Sequence, residues 1–187
     1  MTIAPTRVLA IDGSPDGAGR TARVLEAVLA GARARGAETR LVSLARGVDA
    51  ELEDALAAVH AADAFVLGSP IYRASHGYRL KELLERVPRG MWGEATAPLT
   101  GRAVGLVATG ASHHHFLGLA DLRQTLQAFF AAYVVPPGLY VAGDGFDADK
   151  QLLPATAATA GALGEAVVAL AQALGADPAL HGVVPQA

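Results

Sequence analysis

The chain has 187 residues, 52% of them hydrophobic and 18% charged, and a formal net charge of −3. That balance belongs to a folded globular chain, the length suits one domain over 1–187 with a full core, and the charge gives no electrostatic ground for a nucleic-acid partner. It contains no cysteine, which excludes disulfides, thiolate nucleophiles and cysteine metal sites. No apolar run is read as reaching the roughly 18 to 20 residues of a membrane span, and Met1-Thr2-Ile3-Ala4-Pro5 lacks the design of a secretory signal. A cytoplasmic protein without a membrane segment is therefore expected.

In chain order, Arg7 to Asp12 reads as a short buried strand with β-branched Val8 and Ile11. Gly13-Ser14-Pro15-Asp16-Gly17-Ala18-Gly19-Arg20-Thr21 follows and opens a helix over Arg20 to Arg35, stopped by Gly36. A helix N-terminus presents unpaired N–H groups and about half a positive charge, so this is a phosphate-binding layout. Ser14 and Thr21 add hydroxyls, and Arg20 adds a planar cation. The loop is neither a P-loop nor a dinucleotide fingerprint. Gly13 to Gly19 is one residue too long for the former with Arg20 in place of lysine, and the glycines are wrongly spaced for the latter.

Glu38 to Leu44 alternates as a second strand, and Glu51 to Ala62 reads as a second helix. Ala64 to Gly68 is a third, buried strand of the parallel-sheet kind, ending in the loop Ser69-Pro70-Ile71-Tyr72-Arg73-Ala74-Ser75-His76-Gly77. A helix with Leu80, Leu83, Leu84 and Val87 comes next, then a long loop from Pro88 to Gly101 that holds Trp92. Ala103 to Ala108 is the fourth strand, followed by Thr109-Gly110-Ala111-Ser112-His113-His114-His115 and a helix from about Leu119 to Ala132. Val134 to Val141 is the fifth strand, interrupted by Pro136-Pro137-Gly138 and so placed at the sheet border. Gly143 to Pro154 reads as polar loop and Thr156 to Leu174 as the last helix. The tail from Gly175 has no pattern and is a candidate for disorder.

Alternating strands and helices argue for a doubly wound parallel sheet of five strands in the order 2-1-3-4-5, with helices on both faces. That order puts the first, third and fourth strands side by side. One ligand could then touch all three of their carboxyl-end loops, and their residue types suit a planar ring with a phosphate tail. The consecutive histidines 113 to 115 point in different directions, and no metal is expected there.

These stretches resemble the NAD(P)H-dependent FMN reductases of the flavodoxin-like proteins, above all those of alkanesulfonate and methanesulfonate monooxygenase systems. The matching residues are Gly13-Ser14-Pro15 with Gly19-Arg20-Thr21, Ser69 to Ser75 with Leu80 to Leu84, and Ala108-Thr109-Gly110. The resemblance implies an FMN oxidoreductase with NADPH or NADH as co-substrate. Ser14, Pro15, Gly19, Arg20 and Thr21 would hold the phosphate. Pro70, Ile71, Tyr72 and Arg73 would line the ring, and Thr109, Gly110, Ala111 and Ser112 would close its pyrimidine side. No catalytic acid or base is implied, because the hydride passes to the flavin itself. Asp16 stands where these reductases commonly carry an arginine, and Ala111 where they carry a second glycine. A homodimer or homotetramer and a flavin-dependent monooxygenase partner are further implications. A quinone, azo or nitro reductase and a flavodoxin-type electron carrier are the alternatives. Trp92 is expected to staple its loop down or to cap a flavin across a dimer boundary, Tyr78 to join its helix and a subunit contact, and Phe129, Phe130 and Tyr133 to lie in the core.

Overall fold

The structure, a computed structural model, describes residues 4–185. Its elements in chain order are β1 (Arg7–Asp12), α1 (Arg20–Ala34), β2 (Glu38–Ser43), α2 (Asp49–Ala61), β3 (Ala64–Tyr72), β4 (Ser75–His76), α3 (Tyr78–Arg86), β5 (Ala103–Thr109), α4 (Ala120–Gln124), β6 (Tyr133–Val134), β7 (Leu139–Val141), α5 (Pro154–Ala176) and α6 (Pro178–His181). The sheet runs β2-β1-β3-β5-β6, all parallel, with β7 also pairing β5. Once the two-residue β4 is set aside, this is the expected 2-1-3-4-5 order, because β6 and β7 are the two halves of the predicted fifth strand. Pro136, Pro137 and Gly138 separate those halves at the sheet border, with a cis bond between the prolines.

Each face of the sheet carries its own apolar layer, because strands buried on both sides project alternate residues up and down. Leu9, Ile11, Phe65, Leu67, Val104 and Leu106 pack under α2, α3 and α4. Val8, Ala10, Val66, Ala103 and Val107 pack under α1 and α5. The latter two helices meet almost backbone to backbone: a Cβ on Gly164 would lie 1.9 Å from the Val28 carbonyl, and one on Gly31 2.0 Å from that of Gly161. This contact pins α1, and with it the helix N-terminus that faces the loop after β1.

Several sequence expectations are corrected. The helix Pro154–Ala176 has 23 residues and by length and composition alone could cross a membrane, contrary to the reading that no apolar run is long enough. Here it lies along α1. The third strand does not stop at Gly68, because β4 folds back antiparallel onto Ile71 and Tyr72 while Pro70 registers with Thr109 of β5, so the ladder continues. The helix expected from Leu119 begins earlier, as a 3-10 stretch over His113–Leu119, and widens to a π turn over Thr125–Phe129. Past Gly175 the chain continues into α6, where the Asp177 side chain accepts the Ala179 N–H at 2.9 Å and Tyr133 donates to the Leu180 carbonyl at 3.1 Å. Residues 186–187 lie outside the described residues.

Candidate functional site

Register places Asp12 beside Gly68 and Gly68 beside Val107, so β1, β3 and β5 end together. Beyond their carboxyl ends lies a cleft of about 440 Å³ lined by Ser14, Pro15, Asp16, Gly19, Arg20, Thr21, Pro70, Ile71, Tyr72, Thr109, Gly110, Ala111 and Lys150. Every site residue named from the sequence lines it except Arg73 and Ser112. Arg73 and Ala74 occupy the tip of the β3–β4 turn with φ of 49° and 68°, and this left-handed pair turns the Arg73 side chain out to solvent. Ser112 lies just past the cleft, where its carbonyl accepts the Tyr140 hydroxyl at 2.5 Å.

The first loop is set from below by Asp12. This buried carboxylate accepts the Ser14 N–H and the Ser14 hydroxyl, each at 2.9 Å, an Asx turn that aims the chain toward α1. Burial pushes the Asp12 carboxyl above the usual range, and the two bonds from Ser14 pull the other way. The buried Thr21 hydroxyl is 2.8 Å from that of Thr109, which joins the first loop to the third. One of the two hydroxyls donates to the other, so the accepting one keeps its own proton for a further acceptor. The helix is different. Its N-cap is Gly19, no side chain caps it, and the first-turn amides facing the cleft keep their donors. Arg20 has no carboxylate within ion-pair distance among the described residues and lies 5.3 Å above the Phe146 ring.

The middle element carries Tyr72, which is 56% exposed despite its place in a strand, so packing does not account for it. Its hairpin is anchored twice. Ser69 accepts the Gly77 N–H at 2.7 Å, and Asp121 of α4 accepts the Ser75 hydroxyl and lies 3.4 Å from His76 Nδ1. Burial holds the His76 imidazole below its ordinary pKa, against the pull of Asp121 in the other direction. On the third loop, a Cβ at Gly110 would stand 2.0 Å from the Tyr140 hydroxyl, so this glycine is what lets the tyrosine brace the Ser112 carbonyl. His113 lies outside this arrangement, 2.8 Å from Asp144. Among the described residues no group of three or more His, Cys, Asp or Glu is placed to hold a metal.

Elsewhere, a wider depression at the opposite end of the strands, bordered by Arg7, Glu38, Asp63 and Arg102, has its central charges paired, with Arg7 to Asp63 at 2.9 Å. Trp92 is 83% exposed and touches its loop through Arg89, whose guanidinium lies 5.1 Å from its ring; the buried Arg89 fastens the loop, donating to the Phe129 carbonyl at 3.2 Å and lying 3.3 Å over the Phe129 ring. Phe130 is core as expected, whereas Phe129 is exposed. Sequence reasoning missed Asp12, Tyr140, Asp121 and Lys150. Asp12-Gly13-Ser14 carried an Asx-turn signal, and Asp147-Ala148-Asp149-Lys150 a turn signal. Tyr140 and Asp121 carried none, since only the fold brings them to the cleft's edge.

Comparison with known proteins gives a consistent result. A family model described as NADPH-dependent FMN reductase matches residues 6–147. The NADH-dependent FMN reductase SfnF of Pseudomonas putida is 31% identical over 169 residues, which is 83% of this chain and 87% of that protein. An FMN reductase (NADPH) of Pseudomonas aeruginosa is 33% identical over 98 residues, 52% of this chain and 49% of that protein. Among solved structures, an apo NADH:FMN oxidoreductase aligns with a TM-score of 0.71 at 26% identity, covering 94% of both chains. A WrbA-like flavodoxin from Agrobacterium tumefaciens aligns with a TM-score of 0.67 at 21% identity over 91% of this chain and 99% of its own, which supports the fold.

Proposed function

This chain belongs to the NADPH-dependent FMN reductase family, and on that premise we propose that the cleft beyond β1, β3 and β5 is where it holds FMN. It is an oxidoreductase whose small-molecule substrates are flavin and reduced nicotinamide. Bound FMN supplies a ring that accepts a hydride from the nicotinamide, so no acid or base from the protein is required for that transfer.

The single observation that carries the placement is the convergence of three strand ends on one cleft faced by an uncapped helix N-terminus. The residues present fit the group. The first-turn amides of α1 and the unpaired Arg20 answer a phosphate, and the exposed ring of Tyr72 answers a flat aromatic head. Pro70 and Ile71 continue an apolar wall, and Thr109, Gly110 and Ala111 line the far side. The Asp121 anchor of the hairpin keeps Tyr72 and its neighbours oriented, and the packing of α1 on α5 keeps the helix N-terminus in place.

Mixing purified protein with FMN is expected to quench flavin fluorescence, and adding NADH or NADPH with excess FMN is expected to give steady oxidation without a protein partner. Oxidation that stops after one equivalent would favour an electron carrier, and no quenching at all would remove the flavin site. The reading also includes a homodimer or homotetramer, supported by the exposed Trp92, Tyr78, Phe116 and Leu117. It includes delivery of reduced flavin to a monooxygenase, supported by the similarity to SfnF, and a cytoplasmic location, where reduced nicotinamide is supplied. Light scattering and co-purification test the first two.

A further inference from the structure

The loop between β7 and α5 brings a cation to the cleft that none of the three strand ends supplies. Phe146 and Leu152 pair across its base, and the Asp147 carboxylate accepts the N–H groups of Asp149 at 2.9 Å and Gln151 at 2.8 Å. The Asp147 carbonyl accepts the Lys150 N–H at 3.0 Å, and Lys150 is held with φ of 60°, a left-handed conformation uncommon for a side chain of its size. The loop is fastened to the first helix at two points: Arg23 donates to Gln151 Oε1 at 2.6 Å, and Arg20 lies over the Phe146 ring. So constrained, Lys150 lines the same cleft as Ser14, Gly19, Arg20 and Thr21.

Charge gives it a purpose. The charged residues lining the cleft are Asp16, Arg20 and Lys150. Without Lys150 the cleft would carry one cation against one carboxylate, with the Asp12 carboxylate buried just below, a poor setting for a dianionic phosphate. Neither Arg20 nor Lys150 has a carboxylate within 4.0 Å among the described residues, whereas Arg7, Arg33, Arg40, Arg46, Lys81 and Arg86 all do. We propose that Lys150 is a second phosphate-binding cation, which offsets Asp16 and makes the site select a flavin bearing a terminal phosphate over one without. The proposal rests on the flavin-binding reading of this cleft. The Asp147 turn and the Arg23–Gln151 bond then act as positioning elements for Lys150.

The test is fluorescence titration of wild-type protein, Lys150→Ala and Lys150→Arg with FMN and with riboflavin, at low and high salt. Lys150→Ala is expected to raise the Kd for FMN about tenfold, leave that for riboflavin within about twofold and flatten the salt dependence, while Lys150→Arg keeps FMN affinity. Adding Asp16→Asn to Lys150→Ala is expected to recover part of the loss. An unchanged FMN Kd in Lys150→Ala, or an equal loss for both flavins, overturns the proposal and leaves the flavin reading intact. So does a raised KM for NADPH over NADH at unchanged FMN affinity, which would assign Lys150 to the nicotinamide. Wild-type protein that binds neither flavin would instead remove the flavin reading, and this inference with it.

Discussion

The substitution Gly110→Ala tests the geometry of the third loop directly. The φ of Gly110 is not left-handed, so the backbone admits alanine and the consequence is steric alone. The new methyl would stand 2.0 Å from the Tyr140 hydroxyl and 2.9 Å from the ring carbon that bears it, against the roughly 3.5 to 4.0 Å of a comfortable carbon contact. The ring packs against the sheet's core, so relief requires Tyr140 to move and to surrender its 2.5 Å bond to the Ser112 carbonyl. The lost bond is worth about 1 kcal/mol and the overpacking about 1 to 3, from which about 0.5 returns through the stiffer unfolded chain. The net loss is about 1.5 to 3.5 kcal/mol by urea denaturation, and FMN affinity should fall with it because the loop that carries Ala111 and Ser112 has shifted. Tyr140→Phe alone should lose about 1 kcal/mol. In the double variant the nearest clash is gone, so the combined loss should fall short of the sum of the singles by about 1 kcal/mol or more. Additive losses, or a Gly110→Ala protein as stable as wild type, would refute the brace between Tyr140 and Ser112.

On the last helix, Gly164→Ala should destabilise by about 2 kcal/mol or more, because its methyl meets the Val28 carbonyl backbone at 1.9 Å. Gly175→Ala, with nothing within 4 Å, should stabilise by about 0.5 kcal/mol in the same melts; equal behaviour of the two would contradict the close α1–α5 contact. For Asp12, whose folded pKa is raised by burial, the folded chain holds the proton more readily than the unfolded one. Its contribution is therefore fully present below the ordinary carboxylate pKa and is lost as pH rises through the folded value. Subtracting the stability of Asp12→Asn from wild type should give a difference that declines with rising pH from about 4 upward; a flat or rising difference would show that the carboxylate is not desolvated. Asp121→Ala frees Ser75 and His76, so amide exchange of Tyr72 to Gly77 should accelerate and kcat/KM fall by about tenfold. Unchanged exchange in that hairpin would mean that Ser69 alone holds it.

The doubly wound sheet was legible in the sequence because both of its signals are local. Buried parallel strands such as Ala64 to Gly68 read as short apolar runs, and helices such as Arg20 to Ala34 repeat their apolar residues at helical spacing. The adjacency of β1, β3 and β5 followed from the order 2-1-3-4-5 expected of a doubly wound sheet, so most of the cleft was legible in the sequence. What stayed hidden depends on partners distant in sequence. The strand through Tyr72 continues only because Ser75 and His76 pair back on it, and the apolar helix 154–176 finds its place against the sheet because the backbone of α1 lies against Gly161 and Gly164. Tyr140, Asp121 and Lys150 reach the edges of the cleft on elements that follow β5 in the chain. Periodicity and backbone chemistry, both local, set the layers and the glycine-rich loop that opens α1. Tertiary structure alone decided which side chains brace that loop and balance its charge, since a hydrogen bond or a Coulomb interaction acts between neighbours in space, whatever their separation along the chain.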